Sequence, residues 1–214
     1  MSQPAAQCPS CGAPVSFRWS GSVQTVCGFC KSILVRTDVD LTKVGTVADL
    51  PPDSSPIQIG TEGVVDNKAF TVLGRILYEY EFGGWNEWHV VYNDGKSGWL
   101  SDAQLEYDVS WQVEPAPPAN LLPQHPQREQ PLAWSGRTYQ VTSITKAHYK
   151  GVQGELPFQY WDKADCIFAD LRSNDEHFGT IDYTENPPLL FLGRAIGFDE
   201  LRLKNLREFE GWKR

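Results

Sequence analysis

The sequence contains no run of about eighteen apolar residues, which is the length that a membrane-spanning helix needs. It also lacks a basic segment followed by an apolar stretch near its first residue, the pattern of a secretory signal. These two absences argue against membrane insertion and against export. We therefore expect a soluble, cytoplasmic protein.

Short catalytic motifs are missing as well. The sequence has no phosphate-binding glycine loop, no acyl-transfer elbow and no His-Glu-x-x-His pattern. Its four histidines lie far from one another and from the cysteines, so none has a partner at metal-ligand spacing. A carboxylate-based active site leaves no short signature, so catalysis stays open. The absences favour a non-catalytic protein.

Basic residues are scarce, and the formal net charge is -8. Residues 60–113 carry three Lys or Arg against nine Asp or Glu, whereas residues 1–44 carry four against two. An acidic centre repels phosphate backbones. We therefore do not expect a nucleic acid as partner, and any such contact would have to lie within residues 1–44.

Four of the five cysteines form two Cys-x-x-Cys pairs with fifteen residues between them. Two such turns supply four sulfurs to one ion, so the spacing predicts one structural Zn²⁺, and a closed shell of four thiolates leaves no position for a catalytic water. Two disulfides or redox dithiols are the alternative. Gly12 and Gly28 lie where such a turn often needs a positive φ. The predicted ligands are Cys8, Cys11, Cys27 and Cys30.

The fifth cysteine, Cys166, lies in the short apolar run Ala-Asp-Cys-Ile-Phe-Ala. Burial of a thiol is the usual explanation there, and a reactive nucleophile is the alternative. Thiolate metal ligands together with an odd thiol fit a reducing compartment.

Prolines divide the chain. Asp-Leu-Pro-Pro-Asp-Ser-Ser-Pro separates the cysteine region from the rest, because prolines remove backbone donors that helices and strands need. We predict a zinc ribbon at 1–44, a linker at 45–59 and a body at 60–214. About forty residues build a core of their own with difficulty, so the metal would supply the folding free energy of the ribbon.

The body contains a second proline-rich stretch at 114–131, with six prolines, which we interpret as a surface connection between halves at 60–113 and 132–214. Both halves consist of short segments rich in β-branched and aromatic residues, separated by turn residues such as Asn93-Asp-Gly-Lys. Helical spacing of apolar residues occurs only from Phe198 onward. The predicted fold is mostly β: a zinc ribbon, an all-β body of two related small barrel-like or sheet halves, and a short C-terminal helix.

Five motifs in the body carry a resemblance to a known family: Phe70-Thr-Val-Leu-Gly-Arg-Ile, Trp85-Asn-Glu-Trp, Asp94-Gly-Lys-Ser-Gly-Trp-Leu-Ser-Asp-Ala, Gly154-Glu-Leu-Pro-Phe and Thr180-Ile-Asp-Tyr. Over residues 58–205 the chain resembles the bacterial family called domain of unknown function 4178, and a Cys-Pro-x-Cys-Gly ribbon in front of that domain resembles a common member architecture. The resemblance implies a bacterial cytosolic protein without an established activity. It also implies relatives that often lie beside polyamine-biosynthesis-like and membrane-protein genes, which is a hint about pathway and not about chemistry. A polyamine ligand and association with a membrane-protein partner are compatible with that hint.

The segment Tyr78-Glu-Tyr-Glu-Phe-Gly-Gly-Trp-Asn-Glu-Trp-His is dense in aromatic and acidic residues. The rings of Trp85 and Trp88 could frame a cationic ligand such as a polyamine, with Glu79, Glu81 and Glu87 as countercharges. The alternative is that the tryptophans are core residues and that the acidic residues form a solvated strand face.

Glu155, in Gly-Glu-Leu-Pro-Phe, and Asp182, in Thr-Ile-Asp-Tyr, could perform acid–base work if folding brought them together. Each could equally accept backbone hydrogen bonds at a turn. Our interpretation is a non-catalytic zinc-binding adaptor or ligand-binding protein whose β body binds a partner protein or a cationic small ligand. The alternative is an enzyme or sensor that acts on polyamine-like amines through Glu87, Glu155 and Asp182.

Overall fold

The computed structural model describes residues 6–37, 40–47, 55–115, 122–159 and 165–208. Within those ranges the regular structure consists of β-strands alone, which confirms the predicted mostly-β fold. No helix in the described part of the chain is long and apolar enough to cross a membrane.

Residues 6–47, which we call the cysteine module, form two small antiparallel sheets. They have their own apolar core of Val15, Phe17, Leu34 and Leu41, which packs against Cys8 and Cys27. The strands are β1 (Ala6–Gln7), β2 (Pro14–Val15), β3 (Gln24–Val26), β4 (Ser32–Arg36) and β5 (Leu41–Thr46).

A ten-stranded antiparallel sheet makes up the body, in the spatial order β11-β12-β13-β14-β15-β10-β9-β8-β7-β6. The turn at Asn93-Asp-Gly-Lys joins β8 to β9 as predicted, with Gly95 at φ +82°. The strands are β6 (Glu62–Val65), β7 (Lys68–Tyr80), β8 (Gly83–Tyr92), β9 (Ser97–Ala103), β10 (Glu106–Gln112), β11 (Pro131–Trp134), β12 (Arg137–Gly154), β13 (Asp165–Arg172), β14 (His177–Asp182) and β15 (Leu189–Ala195).

The sheet closes on itself because its two longest strands pair. The first part of β7 pairs with β6, and its second part pairs with the end of β12. The first part of β12 pairs with β11 in the same way. Eight strands, β7 to β10 and β12 to β15, therefore form a ring, and each predicted half of the body contributes four neighbouring strands.

Glycine is required where the ring closes. Gly74 of β7 lies opposite Gly154 of β12. A Cβ atom at Gly74 would lie 2.0 Å from the carbonyl oxygen of Glu155, and one at Gly154 would lie 2.1 Å from that of Leu73. Gly154 also has a φ of +65°, which L side chains rarely adopt. The two backbones approach this closely only because neither residue has a side chain.

Side chains alternate between the interior and the outer surface of the ring, as the period of a β-strand requires. Outside β7 to β10, Val72, Trp88 and Leu100 pack against Leu201 and Leu203 from the end of the chain. A second cluster, outside β12 to β15, includes Leu122 of the connecting segment. Its members are Leu122, Leu132, Tyr139, Val141, Ala169, Leu171, Ile181 and Leu190.

The predicted C-terminal helix does not form in the described residues up to 208. Residues 198–202 make turns, and Arg202 and Asn205 have positive φ values of 48° and 55°, which interrupt helical geometry. Leu201 and Leu203 are both buried, although they lie only two residues apart. This segment is extended because Lys204 pairs with Glu62 beside β6, so tertiary packing overrides the helical spacing.

The proline-rich segments fall partly outside the described residues, since the linker predicted at 45–59 includes 48–54 and the connection predicted at 114–131 includes 116–121. The division into ribbon, linker and body stays a prediction. Cys166 lies on β13 and is buried in a cluster with Phe168 of the same strand, Ala147 of β12 and Ile76 of β7, as expected for a packed thiol.

We predict that Gly74→Ala lowers the free energy of unfolding by at least about 2 kcal/mol, because a backbone carbonyl must move to admit the new methyl group. Urea unfolding followed by tryptophan fluorescence measures this change. Gly197→Ala is the control, because its nearest contact is the flexible carboxylate of Glu200 at 3.0 Å. A Gly74→Ala protein as stable as the control would contradict the closed sheet.

Candidate metal centre and ligand cavity

The four predicted sulfurs come together in the cysteine module. All four lie within 4.8 Å of one another. The Sγ atoms of Cys8 and Cys30 are 3.7 Å apart, and those of Cys11 and Cys27 are 3.8 Å apart. Metal–sulfur bonds of about 2.3 Å in a tetrahedron place neighbouring sulfurs about 3.8 Å apart. The cluster therefore fits one tetrahedral ion, whereas a disulfide needs about 2.05 Å.

Two similar turns build this cluster. The amide of Gly12 donates to the carbonyl of Cys8 over 2.8 Å, and the amide of Lys31 donates to that of Cys27 over 3.1 Å. The residue after the second cysteine of each turn has a positive φ, 73° at Gly12 and 59° at Lys31. Our prediction was right for Gly12 and wrong for Gly28, because the left-handed position follows Cys30 and does not lie inside the pair.

The thiols of Cys30 and Cys11 differ in acidity, because hydrogen bonds with the neighbouring thiols raise the pKa of Cys11 to about 12. Hydrogen bonding from Ser32 lowers the pKa of the Cys30 thiol to about 6. Metals bind the thiolate form, so a lowered pKa favours coordination at neutral pH.

A second candidate site is the interior of the ring, a cavity of about 1710 Å³ that we call the lumen. All eight strands of the ring contribute side chains to it. Its charged lining has eight carboxylates and four basic groups. These are Glu81, Glu87, Glu106, Asp108, Glu114, Asp170, Asp182 and Glu185 against Lys96, Arg128, Lys146 and Arg172. The lumen is therefore acidic.

Glu87 lies at the centre of this acidic lining. Its carboxylate accepts a hydrogen bond from Trp85 Nε1 at 2.9 Å and one from Ser101 Oγ at 2.8 Å. Burial raises the pKa of Glu87 to about 7, although both hydrogen bonds oppose the rise. Repulsion from Asp170 and Asp108 raises it further. A cation near Glu87 would offset both the burial of its charge and the repulsion from Asp170 and Asp108.

Hydrogen bonds orient the carboxylates of Asp170 and Asp108, the two groups that repel Glu87. Asp170 accepts from Ser143 Oγ at 2.6 Å and from Thr180 Oγ1 at 3.1 Å. Asp108 accepts from Arg172 Nη1 at 3.2 Å, yet burial still raises the pKa of Asp108. One guanidinium therefore faces a group of three carboxylates.

Aromatic rings line the lumen beside Glu87. The rings of Tyr78 and Trp85 stack with centroids 5.0 Å apart, and Phe168 meets both edge to face. Phe82, in the turn between β7 and β8, is 78% exposed and belongs to the same lining. The lumen thus offers apolar walls next to negative charge.

The structure brings Trp85 and Glu87 together and separates Trp88 from them. Residues three positions apart on a strand face opposite sides, so Trp88 lies in the outer core at 1% exposure. The Arg75 guanidinium lies 4.9 Å from the centre of the Trp88 ring. The two tryptophans therefore do not frame one ligand.

Asp182 and Glu155 have different roles in the structure. Asp182 lines the lumen, accepts hydrogen bonds from the amide and hydroxyl of Thr184, and has a pKa raised by burial. Glu155 is 5% exposed, is outside the described lining of the lumen, and binds the cysteine module. Its carboxylate accepts from the amide of Arg18 at 2.9 Å and from Ser22 Oγ at 2.6 Å. The pair does not form a catalytic dyad.

Sequence reasoning missed Asp108, Asp170 and Arg172, because they converge only when the ring closes. One signal was present in the sequence. Asp170 and Arg172 alternate with the apolar Leu171, so the end of β13 is polar on one face.

The fold and these sites define an all-β protein with a cluster of four cysteines that could hold a metal ion and with a sheet closed around an acidic cavity. Residues 58–198 match the family described as a domain of unknown function (DUF4178), and the chain belongs to that family. No curated protein matches the chain. No solved structure matches it.

The pKa of Glu87 yields a stability prediction with a defined sign. An acid whose pKa is higher in the folded state than in the unfolded state reduces stability as the pH rises through that interval, here from about 4.5 to about 7. Glu87→Gln should therefore stabilise the protein at pH 8 by up to about 3 kcal/mol and have less effect at pH 4.5.

Urea unfolding at both pH values measures this difference. Glu62→Gln on β6 controls for the change in net charge. A Glu87→Gln effect that is the same at pH 4.5 and at pH 8 would show that ionisation of Glu87 costs the fold nothing.

Proposed function

We propose that this chain is a non-catalytic zinc-binding protein whose closed sheet binds a small cationic ligand in the lumen. The observation that carries the proposal is the lumen itself, where carboxylates and aromatic rings meet inside a folded body. Binding pockets for small molecules are typically concave, largely apolar and supplied with a few placed polar groups.

Zinc is the ion that best fits the cysteine cluster. Four sulfurs at tetrahedral spacing suit a soft thiolate site for Zn²⁺. Four protein ligands complete the coordination, so no position is left for a reacting water, and the ion holds structure. With that ion, the cysteine module is the zinc ribbon in front of the family domain.

We predict that Cys27→Ser lowers the zinc content well below one ion per chain, because a three-sulfur site with a hydroxyl binds zinc more weakly. Metal analysis after exhaustive dialysis measures the content. Cys166→Ala is the matched control, because that cysteine is buried in the body outside the cluster, and it should keep one ion. Full retention of one tightly held ion by Cys27→Ser would defeat the assignment.

The charges favour an organic amine as the ligand. Ammonium groups can pair with Glu87 and Asp170 while the carbon chain packs on Tyr78 and Phe168. Asp182 is a diagonal neighbour of Asp170 across β13 and β14, and such side chains lie about 7–8 Å apart. Successive ammonium groups of a polyamine have a separation on this scale.

We predict that spermidine binds to the zinc-loaded protein in calorimetry at pH 8 and low salt. Glu87→Gln should weaken binding at least tenfold, since a charge-assisted hydrogen bond contributes about 1.5–3 kcal/mol. Glu62→Gln, which changes the net charge equally on an outer strand, should bind as the unchanged protein does. Absence of heat with the unchanged protein, or equal affinities for both variants, would count against the lumen as an amine site.

Two earlier expectations stay predictions. A partner protein, including a membrane-protein partner, is compatible with an adaptor that presents the cysteine module. An enzyme acting on amines would have to use Glu87 and Asp182 without Glu155, because that carboxylate is occupied by the cysteine module.

A further inference from the structure

The cysteine module supplies one residue of the lumen wall. Trp19 lies in the loop between β2 and β3, yet it belongs to the lumen lining together with Trp99 and Phe158. Its indole Nε1 donates to the carbonyl oxygen of Gly95, in the turn between β8 and β9, over 2.9 Å. Trp19 therefore closes part of one end of the lumen from outside the ring.

His89 connects Trp19 to the ring. The imidazole is 0% exposed and lies between two indoles, with centroids 5.2 Å from Trp19 and 5.4 Å from Trp99. Its Nδ1 lies 2.9 Å from the carbonyl oxygen of Glu155. The three rings form a continuous packed series from the cysteine module to the lumen surface.

Glu155 fixes the loop that carries Trp19. Its buried carboxylate accepts hydrogen bonds from the amides of Arg18 and Trp19, at 2.9 and 3.3 Å, and from the hydroxyl of Ser22. The following residue, Leu156, pairs with Gln24 of β3 through backbone hydrogen bonds of 2.9 and 3.2 Å. The loop is thus held against the body from Arg18 to Gln24.

The strands at both ends of this loop also adjoin the four cysteines. The turn with Cys8 and Cys11 precedes β2, and β3 leads directly into Cys27. Between these strands, residues 16–23 form no regular structure that could hold Trp19 by itself. In a small module of this kind, metal binding contributes much of the folding free energy.

We propose that the metal at the four cysteines controls ligand binding in the lumen by holding Trp19 in the lumen wall. The proposal rests on the function proposed above, and it makes the cysteine module part of the binding site. Loss of the metal releases the loop, withdraws Trp19 from His89 and opens the end of the lumen near Trp99. A metal-free protein then has a folded ring and a weakened site.

The test combines hydrogen exchange with spermidine calorimetry on the full chain, zinc-loaded and after removal of zinc by a chelator. On zinc removal we expect amide exchange to increase at least tenfold at residues 17–26 and at residues 97–101, while residues 177–195 on the far side of the ring stay protected. We expect spermidine affinity to fall at least tenfold.

The Trp19→Ala variant tests the contribution of Trp19 to the lumen wall separately from the stability of the cysteine module. It should keep one zinc ion per chain and still lose at least tenfold in spermidine affinity. Trp134→Ala on β11 is the control, because that indole lies outside the described lumen lining, and it should bind as the unchanged protein does.

The outcomes distinguish this proposal from the proposed function. If the zinc-loaded protein does not bind spermidine, the ligand assignment fails, whereas increased exchange at 97–101 on zinc removal still supports Trp19 as a metal-held wall. Unchanged exchange at 97–101 overturns the proposal. Equal spermidine affinity with and without zinc overturns the proposal as well. The same holds if zinc-loaded Trp19→Ala binds spermidine as tightly as the unchanged zinc-loaded protein.

Discussion

The pairing of β7 with the end of β12 is the constraint on which the rest of the structure depends. It converts two runs of four strands into one ring, and the ring encloses the lumen. The same strand end continues into Glu155 and Leu156, which bind the cysteine module. Three consecutive residues, Gly154 to Leu156, therefore close the sheet and fix the cysteine module to the body.

The lumen contains charged side chains at positions where apolar side chains would give a more stable fold. Burial raises the pKa of Glu87 to about 7 and also raises that of Asp108 and Asp182. Arg172 offsets only part of this cost through its ion pair with Asp108. Proteins tolerate such unfavourable groups mainly where a ligand or a reaction needs them. The outer face of the same strands, with Trp88 and Leu100, is packed as an ordinary core.

Local sequence features predicted what depends on local structure. Spacing alone identified the four cysteines, and Asn93-Asp-Gly-Lys identified a hairpin, because each depends on a few neighbouring residues. The helix from Phe198 was wrong since Leu201 and Leu203 both fill the core beside an extended strand. Trp85 and Glu87 were found as candidates, whereas the ion pair of Asp108 with Arg172 and the contact of Trp19 with Gly95 join residues more than fifty positions apart. Ring closure brings such residues together, and no single segment of the sequence indicates which distant strands pair to close the ring.

The most direct test of the account is native mass spectrometry of the full chain purified from its own cells without denaturation. We expect a mass that exceeds that of the chain by one zinc ion and one small organic cation, with the organic cation lost in Glu87→Gln and the zinc retained. Recovery of the chain with zinc alone, together with no binding of any amine from the same cell extract, would contradict a ligand-binding lumen.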